Sequence, residues 1–135
     1  MKKLALLFLL VSNFLSSQTW QPLTSILSNT ISSNQRFDDV FFLNENLGWA
    51  ANGYFSEVFK TTDGGTNWIS QTTGAALGSS HYFRNIEFLD ENIGFLGTLN
   101  NKFYKTIDGG TTWSLVTNIT PNPVAICGLD CVGTS

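Results

Sequence analysis

Charge is scarce in this chain. Asp, Glu, Lys and Arg together make up 13% of its 135 residues, and only 7 of them are basic. Arg36, Lys60, Arg84, Lys102 and Lys105 are scattered, so the dense positive surface that nucleic acid or an anionic membrane demands is not available. Histidine is nearly absent as well. His81 is the only one, with no Cys or carboxylate at ligand spacing, so neither a metal site nor a cofactor is expected. Just ahead of a strand that begins near Tyr82, His81 is expected in an exposed loop. No apolar run reaches the roughly 20 residues of a membrane-spanning helix. Helical periodicity is missing beyond the leader, except weakly around Leu23 to Leu27.

Cysteine is limited to Cys127 and Cys131. On an extended strand, residues four apart lie ~13 Å from each other, beyond the span of a disulfide. A tight turn at Gly128 would join them; otherwise they are buried thiols or find partners outside the chain. The favoured reading is two buried small hydrophobes.

At the start, Lys2 and Lys3 precede an apolar run from Leu4 to Val11 and then a small, polar stretch through Ser16 and Ser17. This is the order of an export signal, so residues 1–17 are expected to be removed, with no Cys at the cleavage point to accept a lipid. The product carries five basic against ten acidic residues, a balance of −5. It is expected to be secreted, periplasmic or on the cell surface, with no membrane span left after processing. Its Asn, Ser, Thr and Gly richness and 13% aromatic content suit an exported β-protein.

What the chain does have is an internal repeat. The stretch from Val40 (VFFLNENLGWA) matches the stretch from Ile86 (IEFLDENIGFL), an offset of 46, and KTTDGGTNW from Lys60 matches KTIDGGTTW from Lys105, an offset of 45. One residue has therefore been gained between Ala50 and Phe59, and a hairpin loop tolerates such a gain. Apolar residues alternate with polar ones, and turn residues recur at 44–46, 52–53, 63–66 and again at 90–92, 100–101, 108–111. Each unit thus holds about four short strands. A repeat of ~45 residues with four strands is the size of a propeller blade, and blades bury their faces only by stacking. Two meanders in a small sandwich are the alternative. The alternation places Val40, Phe42, Trp49, Ile86, Phe88 and Phe95 on outer, uncovered faces. Glu45 with Asp39, and Glu91 with Asp90, read as surface turn charges.

In each unit the third turn carries Thr, any, Asp, any, Gly, any, Asn or Thr, Trp: Thr61, Asp63, Gly65, Asn67 and Trp68, then Thr106, Asp108, Gly110, Thr112 and Trp113. An Asp at the corner accepts hydrogen bonds from backbone N–H groups one to three residues on, paired glycines supply positive φ, and the Trp packs under the turn.

These residues resemble the Asp-box, or BNR, propellers. The longer pattern F-L-D/N-E-N-x-G-W/F followed by K-T-x-D-G-G-x-x-W, covering about Phe37 to Thr117, is similar to the photosystem II stability and assembly factor family found among secreted bacterial proteins. The resemblance implies an all-β fold of four-stranded antiparallel blades, and a structural rather than catalytic role for Asp63 and Asp108. Asn67 departs from the usual Thr, which is expected to weaken one side-chain contact. Sialidases of similar fold use three Arg with a Tyr and Glu, and Arg36 and Arg84 alone do not supply that set.

The blades are expected at 36–80 and 81–120. Residues 121–135, with Val124, Ile126 and Cys127, read as the start of a third, and residues 18–35, with Trp20, as a strand that closes the ring. Propellers have 4 to 8 blades, so the chain is expected to be a piece of a larger propeller or to close by oligomerisation. The functional expectation is a non-catalytic exported scaffold for a protein or glycan ligand. The alternatives are a fragment of a sialidase-like glycoside hydrolase and a photosystem II assembly factor.

Overall fold

The computed structural model describes residues 37–73, 76–78 and 81–132. The export signal and the 18–35 strand lie outside the described residues. Those described contain eight strands and no helix: β1 (Asp39–Phe42), β2 (Gly48–Asn52), β3 (Glu57–Thr61), β4 (Ile69–Thr73), β5 (Phe83–Phe88), β6 (Gly94–Thr98), β7 (Phe103–Thr106) and β8 (Ser114–Leu115). They form two four-stranded sheets, each in sequence order and antiparallel throughout.

The turns explain the registers. Asn44 Oδ1 accepts from the N–H groups of Asn46 and Leu47, and Asp90 Oδ1 does the same for Asn92 and Ile93. Each side chain thereby fixes the first hairpin of its sheet. The second hairpin holds the extra residue of the first repeat: Asn52 pairs with Glu57 around Gly53 to Ser56, whereas Thr98 N–H closes directly onto Lys102 O around Leu99 to Asn101. Glycine opens each second strand because the strand-one ring lies across it. A Cβ on Gly48 would stand 2.7 Å from the Phe42 ring, and one on Gly94 2.5 Å from Phe88.

The core sits between the two sheets. Trp49 lies flat on Phe88 with ring centroids 3.5 Å apart and planes 9° from parallel, Phe41 stacks beside both, and Trp113 meets Phe88 edge-on. Ala51, Val58, Phe83, Ile86, Leu96 and Tyr104 complete this cluster. A smaller one joins Ala50, Phe59, Trp68 and Phe37 on the far side of the first sheet. Strand β2 is buried along its whole length because both its faces are covered.

Three expectations change here. Trp49, Ile86 and Phe88 are buried, not on uncovered faces, because they form the contact between the sheets; Phe95 is half-buried, and Val40 and Phe42 are exposed, at 56% and 42%. Cys127 is exposed and Cys131 half-buried, both as free thiols, because segment 122–132 runs over the second sheet without entering it. Its placement is set by bonds from Ile126 N–H to Thr98 O and from Asn101 N–H to Val124 O. Asp39 is not a surface charge: its Oδ2 accepts the Ile86 N–H across the sheet contact at 2.9 Å.

Candidate functional site

The two Thr-x-Asp-Gly-Gly turns are the most repetitive feature of the structure, and they share one set of hydrogen bonds. Thr61 Oγ1 donates to Asp63 Oδ1 at 2.9 Å and accepts the Gly65 N–H; Thr106 repeats both bonds with Asp108 and Gly110. Asp63 Oδ1 accepts from Asn67 N–H at 2.8 Å and Asp108 Oδ1 from Thr112 N–H at 2.8 Å. The carboxylate therefore takes the N–H four residues on as well as that of Thr66 or Thr111 three residues on, and the threonine hydroxyl takes the N–H of Gly65 or Gly110. Gly64 and Gly65, and Gly109 and Gly110, all hold positive φ, between 69° and 92°, which a Cβ would strain. Trp68 and Trp113 donate Nε1–H to the carbonyls of Gly65 and Gly110 at 3.0 Å.

Asn67 does not weaken its turn. Its amide Nδ2 donates to Asp63 Oδ2 at 2.7 Å, as Thr112 Oγ1 donates to Asp108 Oδ2 at 2.6 Å. Hydrogen bonds from the main chain and side chain of Asn67 hold the Asp63 carboxyl below the usual range, and Thr112 does the same for Asp108. A carboxylate so engaged is a poor proton acceptor, so these groups serve the turn rather than acid–base chemistry. The shallow groove beside the first turn, about 340 Å³ and lined by Lys60, Thr62, Asp63, Asn67, Ile69 and Gln71, offers no free acid and base. Lys60 Nζ is held by Gly109 O at 3.2 Å.

Since Thr106 is buried and its hydroxyl serves both Asp108 and the Gly110 N–H, Thr106→Ala leaves an N–H unpaired. The expected loss is about 1–3 kcal/mol, read as a lower urea midpoint; Thr61→Ala should follow it. A midpoint equal to that of the unmodified chain in both variants would remove the hydroxyl from its structural role.

At the opposite end of the sheets, polar groups link the two first strands. Arg84 on β5 pairs with Asp38 at 2.7 Å, the aspartate side chain fully buried and the arginine one-third exposed. Asp38 Oδ2 also accepts from Gly53 N–H at 3.2 Å, and the Tyr82 hydroxyl reaches Oδ1 at 3.5 Å. His81 stands nearby, and it is buried rather than in an exposed loop: its ring faces Tyr104, with centroids 5.9 Å apart. Burial, and then the charge of Lys102, lower its pKa.

A histidine held neutral in the fold contributes stability above its unfolded pKa of about 6.5 and loses it as the pH falls through the folded value, because the unfolded chain takes up the proton first. The urea midpoint should therefore decline from about pH 7 to pH 5, and His81→Gln should flatten that limb. An unchanged slope in the variant would assign the decline to other groups.

Among the described residues no three His, Cys, Asp or Glu side chains come together as a metal site, and no helix is long and apolar enough to cross a membrane. From the sequence, Asp38 has no part at all, Asp39 reads as a surface charge, and Lys60 has no role at the site. Only Lys60 carried a signal, as the lysine repeated at Lys105.

No protein-family model matches the chain, and no curated protein matches its sequence. Solved structures do. YCF48 bound to D1 peptide is 25% identical, with a TM-score of 0.53, over 66% of this chain and 28% of that one. YCF48 from Cyanidioschyzon merolae is 21% identical, with a TM-score of 0.53, over 66% of this chain and 29% of that one. The chain thus spans less than a third of the length of either structure it matches. The two sheets are accordingly β-propeller blades of four antiparallel strands, and among the described residues they do not close a ring.

Proposed function

We propose that this chain is an exported, non-catalytic propeller repeat protein that serves as a binding or assembly scaffold for segments of other proteins. The observation that carries this reading is the likeness to YCF48 bound to D1 peptide, a propeller with a peptide bound to it. The chemistry agrees with it. Both Asp-box carboxylates are engaged within their own turns, and the histidine is packed away, so this part of the chain has surfaces to offer rather than reacting groups. The Lys2–Lys3 leader supports export.

Two measurements test the reading. The intact mass of the product recovered outside an exporting host should correspond to a start near Gln18; a mass retaining Met1 overturns the export part. The purified protein should bind members of an array of synthetic peptides tiling the host's envelope proteins, saturably, and should leave chromogenic glycosides unhydrolysed. Steady glycoside turnover, or a silent peptide array with binding confined to glycans, overturns the scaffold reading.

A further inference from the structure

The groove beside the first Asp-containing turn is lined entirely by described residues, and its apolar member is one the fold does not call for. Across the face that the first sheet turns toward the second blade runs a single row, Phe41, Trp49, Lys60 and Ile69, each paired with the next. The second blade covers the inner members: Phe88 lies on Trp49, and Gly109 O takes a hydrogen bond from Lys60 Nζ. It stops short of the last, and Ile69 stays 66% exposed. Ile69 thus gives an apolar patch to an open groove of about 340 Å³, with Lys60 toward the second blade and Gln71, Asn67 and Asp63 also lining it.

The second repeat shows what a blade of this kind requires at that row. Phe95, Lys105 and Ser114 are paired there in the same order. The lysine recurs and the isoleucine does not, and by the offset of 45 a valine, Val116, stands where the first repeat has Gln71. The blade therefore forms without an isoleucine on its fourth strand. An apolar patch in a concavity, flanked by a few polar groups, is the composition of a binding site.

Charge narrows the occupant. The Lys60 ammonium has three N–H donors, of which Gly109 O takes one, and among the described residues no carboxylate lies within ion-pair distance of it. Asp63 does not fill that place, because its oxygens are taken by the Thr61 hydroxyl and by the main chain and side chain of Asn67. Gln71 brings an amide that both donates and accepts. We propose, on the reading that this chain binds segments of other proteins, that the groove takes an extended segment in which an aliphatic side chain stands next to an acidic one. The aliphatic group packs on Ile69 and the stem of Lys60, the carboxylate pairs with the remaining donors of Lys60, and the Gln71 amide bonds the main chain of the segment.

Short acetylated and amidated peptides of glycine and serine, carrying Leu-Glu, Leu-Lys or Ser-Glu at the centre, are the probes. Nuclear magnetic resonance of the Ile69 methyl groups in the full chain should show a saturable shift with Leu-Glu, binding about tenfold weaker with Leu-Lys, and no shift with Ser-Glu. Ile69→Ser, which installs the residue of the second repeat, should weaken binding of fluorescent Leu-Glu, and of any peptide retained on the envelope array, about tenfold by anisotropy. Leu115→Ser, which removes another exposed apolar side chain on β8, should leave both unchanged. Near-ultraviolet circular dichroism checks the fold of each variant, and should Ile69→Ser not fold, the methyl shifts of the unmodified chain decide. Methyl signals that Leu-Glu does not move, Leu-Lys binding as tightly as Leu-Glu, or a folded Ile69→Ser variant that binds undiminished overturns the proposal. Array peptides that bind this variant undiminished leave the scaffold reading standing without the groove, whereas a silent array removes that reading and leaves the methyl shifts to judge the groove.

Discussion

Replacing Trp49 with alanine is expected to uncouple the two blades, the largest single-residue effect anticipated in this molecule. The indole is fully buried and combines three contacts: the flat stack on Phe88, the Nε1–H bond to Gly109 O at 3.0 Å, and the face beneath Lys60. Removing a buried Trp costs about 3–5 kcal/mol in lost transfer energy and residual cavity. Here the cavity does not collapse readily, because the second blade's turn is pinned by its own threonine, aspartate and paired glycines. A four-stranded sheet whose face is no longer covered keeps little stability of its own. Urea unfolding followed by Phe and Trp fluorescence should show a transition shifted to much lower urea or broadened, with near-ultraviolet signal lost first. Trp49→Phe, the residue that stands at Phe95 in the second repeat, should recover most of the loss and forfeit mainly the bond to Gly109. If Trp49→Ala instead unfolds in one transition near the original midpoint, the blade contact is not what holds the described residues together.

The repeat made most of the fold legible. Two offsets, 46 and then 45, located both sheets and the hairpin that absorbs the extra residue between Asn52 and Glu57. What alternation could not supply was the face on which each aromatic lies. Parity orders residues within a strand, but the face shared across strands depends on register, and register depends on the turn between them. Phe41, not Phe42, stands opposite Trp49, and Glu87, not Phe88, stands opposite Phe95. Grouping Phe42 with Trp49 therefore merged two faces that point opposite ways. The Asp-containing turns were legible for a related reason, since their bonds are local; only the reach of the carboxylate and the part played by Thr61 and Thr106 needed coordinates. Asp38 with Arg84, and Asp39 with the Ile86 N–H, are contacts between residues 46 and 47 positions apart. No local pattern announces such pairs, and an acidic residue near a strand end reads by default as solvated.

Arg84→Met is expected to cost about 2–4 kcal/mol, toward the lower part of what breaking a buried ion pair costs because the guanidinium is one-third exposed. The asymmetry of the pair sets the sign and the size. Asp38 is the fully buried member, so losing the arginine takes a charged partner from a buried carboxylate that also accepts from the Gly53 N–H and the Tyr82 hydroxyl. It also releases a charged link between β5 and the residue that leads into β1. Arg84→Lys should recover part of the loss, since its ammonium restores the charge at a single point, without the planar fork of the guanidinium. The diagnostic variant is the double one: Asp38→Asn with Arg84→Met removes both charges of the pair, and should be more stable than Arg84→Met alone, a coupling that a double-mutant cycle measures. Urea midpoints of the four proteins suffice. Should the double variant be as unstable as the sum of the two single ones, Arg84 supports the blades through the packing of its aliphatic stem, and the ion pair contributes nothing to holding the first strands of the two blades in line.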